Sequence, residues 1–136
     1  MAFKYLGKTR PLGTLKYATP ASTTIVVGQP LKVSSNALAI PSSGNTIWGV
    51  AQGTKVSTDS ATTPIEITPV RKADIFVADV GTGTMADSYV GSTCDLKSGA
   101  TANIDLTADT NHDVLVVGWD GVNTAKAYVR FTNPAF

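Results

Sequence analysis

The stretch Val114–Phe131, VLVVGWDGVNTAKAYVRF, is the clearest indication of the fold in this sequence. It begins with the most apolar run of the chain, and Asp120-Gly121 then marks a turn. The closing segment Lys126–Phe131 alternates, so that Ala127, Val129 and Phe131 face one way while Lys126, Tyr128 and Arg130 face the other. Alternation of this kind is typical of a half-buried strand, so the stretch predicts two strands separated by a turn.

Upstream of this stretch, short apolar segments are interrupted by clusters of Gly, Pro, Asn, Asp and Ser. Turn signals recur about every 8–12 residues, a spacing typical of sandwiches and barrels. Val, Ile and Thr total 40 of the 136 residues, against 8 Leu and 1 Glu, and β-branched residues favour strands. We therefore expect an all-β fold, a single small β-barrel or sandwich of short antiparallel strands. The predicted strands are Thr23–Val27, Leu31–Val33, Leu38–Ile40, Ile47–Ala51, Ile65–Val70, Asp74–Val80, Cys94–Leu96 and Asn103–Leu106, and residues 85–93 could form one short helical turn.

Residues 1–22, MAFKYLGKTRPLGTLKYATPAS, have no clear period and contain two prolines that favour extended backbone before them. They predict an extended basic N-terminal arm, with the β domain spanning residues 23–136. Residues 1–58 carry six basic side chains and no acid, whereas the remaining residues carry five basic and ten acidic ones. An uneven charge distribution of this kind indicates which partners a protein could bind and says nothing about its fold. The arm residues expected to contact a partner are Phe3, Lys4, Tyr5, Leu6, Lys8, Arg10, Lys16 and Tyr17. The alternative is that the arm packs on its own domain as an additional edge strand.

Motifs that would carry catalysis are incomplete, so we expect no enzyme, no catalytic residue and no cofactor. Gly81–Ala86 reads GxGxxA, but the following residues form a poor helix for holding a pyrophosphate. His112 is the only histidine and no GxSxG motif accompanies it. Cys94 is the only cysteine, and the acid beside it would not activate its thiol.

The segment Asp109–Asp113 matches the first positions of a calcium loop, but Val114 stands where that loop requires Gly. We predict an Asx-rich turn and no metal site, although a bound cation there stays an open question. Trp48 and Trp119 lie inside strand patterns and are expected in the core rather than in a ligand platform.

Three stretches resemble the small capsid decoration (cement) proteins of tailed bacteriophages. The first is Val26–Val33, VVGQPLKV, with the hairpin that follows to Ile40, and the second is Ile47–Gly53, IWGVAQG. The third, residues 74–131, contains VGSTCDL, VLVVGWD and KAYVRF. Together they cover roughly residues 24–131, and each is a general β-strand pattern that contains no catalytic signature.

The resemblance implies a structural virion protein that stabilises the outer capsid surface as trimeric knobs at threefold positions. Its partners would be the major capsid protein and neighbouring copies, with no nucleic acid and no membrane. The chain would be made in the host cytoplasm and end on the virion, and the arm residues named above would bind the capsid. Two other classes stay open: a β-sandwich receptor- or carbohydrate-binding module of a phage tail or fibre, and a small hydrolase, which would require a convergent polar pocket.

Overall fold

A computed structural model describes residues 3–6, 15–18, 23–34, 37–55 and 64–136. It confirms the all-β prediction: this part of the chain contains eleven short strands and one 3₁₀ turn, and no α-helix. The strands are β1 (Phe3–Tyr5), β2 (Leu15–Ala18), β3 (Pro30–Ser34), β4 (Ala37–Ala39), β5 (Gly49–Ala51), β6 (Pro64–Pro69), β7 (Phe76–Thr82), β8 (Thr93–Leu96), β9 (Ile104–Asp105), β10 (Val114–Gly118) and β11 (Lys126–Phe131), with the 3₁₀ turn at Asp87–Tyr89.

Five strands of the C-terminal half form a closed barrel in the order β7-β11-β10-β8-β9. All its pairings are antiparallel except the one between β7 and β9, which closes the barrel in parallel. Closure leaves the barrel strands without free edges, because each finds a neighbour on both sides. β1 belongs to the same sheet and pairs antiparallel with the first half of β7, while β9 pairs with its second half.

The N-terminal half supplies an open half-barrel with the strand order β2-β6-β5-β3-β4. Its small core contains the buried side chains of Ile25, Leu31, Leu38, Ala51, Ile65 and Ile67. Gly49 allows two of its strands to approach closely, since a Cβ there would stand 2.5 Å from Cδ1 of Ile67 and 2.9 Å from the Thr68 carbonyl oxygen. The glycine within the predicted strand Ile47–Ala51 is therefore a packing requirement.

The barrel core is larger and includes an aromatic cluster that involves β1. Phe3 is 1% exposed, and its ring stacks on Phe131 with centroids 5.0 Å apart and meets Phe76 edge-on at 6.4 Å. Aromatic pairs at such distances add to the free energy of burial. The described parts of residues 1–22 are therefore strands of the two sheets, as in the edge-strand alternative. β1 and β2 are paired with β7 and β6, whereas residues 7–14 and 19–22 of the predicted arm lie outside the described part of the chain.

The two sheets are joined by polar contacts and by one bridge. Asp113, only 7% exposed, accepts hydrogen bonds from the Ser43 hydroxyl, from the Gly44 N–H at 2.7 Å and from the Leu96 N–H at 2.8 Å. Ile47 forms an isolated parallel bridge with Pro134. A carboxylate that accepts several hydrogen bonds is well stabilised in a buried position, so Asp113 ties the half-barrel to the barrel.

Candidate functional site

The outer surface of the barrel collects side chains from strands that are distant in sequence. Lys4 of β1 is in register with Val77 of β7, and Val77 is in register with Tyr128 of β11. Because Ala127, Val129 and Phe131 are buried, the alternating residues Lys126, Tyr128 and Arg130 of β11 face outward. We call this surface, formed by Lys4, Val77, Lys126, Tyr128 and Arg130, the cationic face.

The cationic face carries three basic side chains, Lys4, Lys126 and Arg130, and two neighbouring carboxylates, Asp79 and Asp120. Lys126 forms an ion pair with Asp79, its cross-strand partner, and both side chains are about one-third exposed. Lys4 and Arg130 form no ion pair with the described residues. The local charge is therefore positive, and the Coulomb field favours an acidic partner.

A shallow depression of about 400 Å³ lies on this face between Lys4, Val77, Lys126, Tyr128 and Asp120. The carboxylate of Asp120 accepts the backbone N–H groups of Val122 and Asn123 at 2.8 Å each, and these bonds lower its pKa below the usual value. Asp120 therefore stays ionised while it holds the turn before β11. A shallow surface with Tyr and Arg side chains resembles a protein interface more than an enclosed ligand pocket.

The structure separates the arm residues that the sequence predicts as contacts. Phe3 corrects the expectation, because it is buried in the protein's own core and is not accessible to a partner. Lys4 is exposed on the cationic face, Tyr5 is half-buried with its ring 5.8 Å from that of Phe76, and Leu6 is 46% exposed. Lys16 and Tyr17 are paired in β2 with Glu66 and Ile65. Lys8 and Arg10 lie outside the described residues.

Sequence reasoning did not assign Lys126, Tyr128 and Arg130 to a site, although their alternation was evident. The missing information was the neighbourhood of β11: β7 lies between β1 and β11 and brings Lys4 to the same surface. The signal that could have suggested it is the pair of basic residues around a tyrosine on the polar side of a regular strand.

The turn Asp109–Asp113 is organised by hydrogen bonds from backbone amides. Asp95, 5% exposed, accepts the N–H groups of Thr110, Asn111 and His112 at 2.8–2.9 Å. The carboxylates of Asp95 and Asp113 are thus surrounded by donors, whereas a cation requires oxygen atoms that are free to coordinate it. Within the described ranges no group of three or more His, Cys, Asp or Glu residues could hold a metal ion.

A polar triangle of Thr93, Asp109 and His112 lies beside this turn, at the surface. His112 Nδ1 is 2.7 Å from Asp109 Oδ1 and 3.0 Å from Thr93 Oγ1, while the Thr93 hydroxyl also donates to Asp109 at 2.8 Å. The Thr93 bond, followed by His112, lowers the pKa of Asp109. A nucleophile–base–acid relay uses both ring nitrogens of the histidine, but here one nitrogen meets both partners. The triangle does not have the geometry of a catalytic triad.

The remaining motifs also receive structural explanations. Cys94 is 1% exposed, and burial, followed by the nearby Asp109 and Asp95, raises the pKa of its thiol to about 12. A buried thiol with a raised pKa stays protonated near neutral pH, which makes it a poor nucleophile. The Gly81–Ala86 string is followed only by the three-residue 3₁₀ turn Asp87–Tyr89, which is too short to hold a pyrophosphate at a helix N-terminus.

The two tryptophans are half-buried, which places them between the core and the surface. Trp48 meets the half-exposed Phe136 edge-on with centroids 5.6 Å apart, and Trp119 donates its Nε1–H to Asp87 at 2.8 Å. The expectation that both lie in the core is thus met only partly: Trp119 packs against the barrel core, and Trp48 lies next to the chain end.

Comparison of the chain with protein-family models, curated proteins and solved structures finds no match. Among the residues that the structure describes, no helix is long and apolar enough to cross a membrane.

Proposed function

We propose that this chain is a non-enzymatic structural protein that docks on an acidic protein surface through the cationic face. The observation that carries the proposal is the register Lys4–Val77–Tyr128, which places β1 and β11 side chains on one open surface. The strands that carry the face are paired with one another, β1 with β7 and β7 with β11, so the backbone positions of its residues are fixed before any partner arrives. Preorganisation of this kind reduces the entropy lost on association.

The chemistry of the face supports a protein partner. Tyr128 and Arg130 are of the residue types enriched in interface hot spots, and Val77 adds apolar surface between them and Lys4. The positive charge would speed association with an acidic surface, and added salt would weaken that effect.

The proposed setting is the outer surface of a bacteriophage capsid, with the major capsid protein and sister copies as partners. This step rests on the resemblance of residues 24–131 to capsid decoration proteins, and the all-β barrel is compatible with it. In this setting the chain would act as a cement subunit, three copies meeting at each threefold position, and it would need no cofactor.

The test uses capsids of the phage that encodes the chain, prepared without it, to which the purified protein is added at several salt concentrations. Arg130→Glu should weaken binding about tenfold or more, because the carboxylate would face an acidic partner. Lys72→Glu, an equal charge change at an exposed residue in the turn before β7, is the matched control and should bind as the native chain does. Cryo-EM of the decorated shells would count the copies at each site.

Equal binding by Arg130→Glu and the native chain, with the same salt dependence, would contradict docking through the cationic face. Failure of the native chain to bind capsids would contradict the capsid setting itself. The tail or fibre module would then be the better proposal, and glycan binding that is lost in Trp48→Ala would support it, because Trp48 and Phe136 form a partly exposed aromatic pair.

A further inference from the structure

A second surface feature, separate from the cationic face, is a cleft of about 570 Å³ where the half-barrel meets the barrel. One wall is formed by residues 40–43, which follow β4, and the other by residues 98–102, between β8 and β9. Two polar lining residues, Gln29 and Thr101, are more than nine-tenths buried. The lining residues carry neither a charged group nor an aromatic ring.

Gln29 has a fixed orientation because of its hydrogen bonds. Its Nε2 donates to the Pro30 carbonyl oxygen at 3.0 Å and to Thr101 Oγ1 at 3.2 Å. A carbonyl oxygen can only accept, so the atom facing it must be the amide nitrogen, and both amide protons are then used. Within the described chain, Oε1 of Gln29 receives no hydrogen bond and the Thr101 hydroxyl proton has no acceptor.

Two buried polar groups without full hydrogen bonding are costly unless something else supplies the bonds. The pair offers one acceptor, Gln29 Oε1, and one donor, the Thr101 hydroxyl. A peptide unit carries the complementary groups: its N–H can donate to Oε1 and a carbonyl oxygen can accept from the hydroxyl. The cleft therefore has the hydrogen-bonding chemistry of a main-chain binding site.

We propose that this cleft binds an extended, uncharged polypeptide segment through its main chain. Gly99 and Ala100 on one wall are small enough for a backbone to approach closely, and the 37% exposed Ile40 on the other wall offers an apolar contact. The uncharged lining gives a phosphate or carboxylate no cation to bind. The absence of an aromatic ring in the lining removes the stacking platform expected for a sugar. This site does not depend on the docking role of the cationic face.

The test is an NMR titration of the ¹⁵N-labelled full chain with the capped peptide acetyl-Thr-Val-Thr-Val-Thr-amide, with maltotriose as the neutral sugar for comparison. Main-chain recognition tolerates different side chains, so one neutral peptide is a fair probe. We expect saturable shifts of the Gln29 side-chain amide and of the residue 98–102 amides with the peptide alone. Gln29→Met and Thr101→Val should each raise the dissociation constant about tenfold, whereas Thr124→Val, at an exposed position outside the cleft, should not change it.

Should a variant at Gln29 or Thr101 not fold, Ala100→Arg fills the cleft from a half-buried wall position and should abolish the shifts. The proposal is overturned if the peptide gives no saturable shifts, if the shifts lie elsewhere on the chain, or if maltotriose binds the cleft and the peptide does not. Capsid binding is measured separately with Arg130→Glu, so failure of one proposal leaves the result for the other unchanged.

Discussion

Replacement of Phe3 by alanine distinguishes an arm that is free for a partner from a strand that belongs to the core. The Phe3 ring is 1% exposed and contacts the rings of Phe131 and Phe76. Truncation of a buried Phe to Ala removes its transfer free energy and leaves a cavity, at a cost of about 3–5 kcal/mol. Leu6, in the same segment but 46% exposed, is the matched control, and Leu6→Ala should cost less than about 1 kcal/mol.

The measurement is urea unfolding of the native chain and both variants, followed by far-UV circular dichroism and by tyrosine and tryptophan fluorescence. With a slope of about 1–3 kcal/mol/M, a cost of about 3–5 kcal/mol should move the midpoint of Phe3→Ala by roughly 1–5 M without changing the slope. Thermal unfolding should shift by about 10–15 °C, since 1 kcal/mol corresponds to roughly 3 °C for a chain of this length.

Equal midpoints for Phe3→Ala and Leu6→Ala would refute the reasoning, because they would show that Phe3 is not part of the core in solution. Deletion of residues 2–20 is a stronger form of the same test. It removes β1 and β2, so the structure predicts destabilisation, whereas a free arm would leave the β domain with its stability unchanged.

Three further predictions concern the polar cluster around β8. Asp95→Asn should cost about 1–3 kcal/mol in urea unfolding, because one oxygen that accepts a backbone N–H becomes a donor. Asp105→Asn, at a half-buried residue of β9 whose carboxylate accepts hydrogen bonds only from the nearby Thr107, should cost less. The Cys94 thiol should react with iodoacetamide only on unfolding. The pKa of this thiol is about 12 in the folded protein, so the thiol of the unfolded chain loses its proton at a lower pH. The free energy of unfolding should therefore fall between about pH 8.5 and 12, by up to about 1.4 kcal/mol per pH unit. Cys94→Ala should remove this pH dependence. Asp109 has a lowered pKa, so its contribution to the stability of the fold should be present at neutral pH and should be lost as the pH falls through the pKa of the folded state. Thr93→Val removes the main hydrogen-bond donor to Asp109 and should therefore raise this pKa in an NMR titration.

The strand content was predictable because its signals are local. The alternation at Lys126–Phe131 reappears as β11 over the same residues, and the apolar run from Val114 becomes β10, which ends at Gly118. The helical turn considered for residues 85–93 appears as the 3₁₀ turn Asp87–Tyr89. The predicted strand Thr23–Val27 is reduced to one bridge between Ile25 and Lys55, and the chain turns after it at Gly28, which adopts φ +88°.

The order of the strands in the sheets was not predictable, because it depends on pairing between segments that are distant in sequence. Phe3 pairs with Ala78, and nothing in the irregular N-terminal pattern indicates that partner. The parallel closure of the barrel between β7 and β9 likewise joins Val80 to Ile104 through a two-residue strand. The spacing of Asp109, Asn111 and Asp113 suggested a cation. In the structure Asp113 accepts the N–H groups of Gly44 and Leu96, and Asp109 accepts the Thr93 hydroxyl, which sequence spacing cannot reveal.

The burial of Phe3 and the exposure of Lys4 are two consequences of one strand pairing. Successive side chains of a strand point to opposite faces, so the pairing that sends Phe3 into the core must place Lys4 on the outer surface, in line with Val77 and Tyr128. Lys4 therefore has a role in the proposed docking as a member of the cationic face, at a position set by the pairing of β1 with β7. It follows that the contributions of Lys4 to binding and of Phe3 to stability are coupled. A substitution that releases β1 from β7 should remove Lys4 from the cationic face even though Lys4 itself is unchanged, while Arg130 on β11 keeps its position through its antiparallel partner β10.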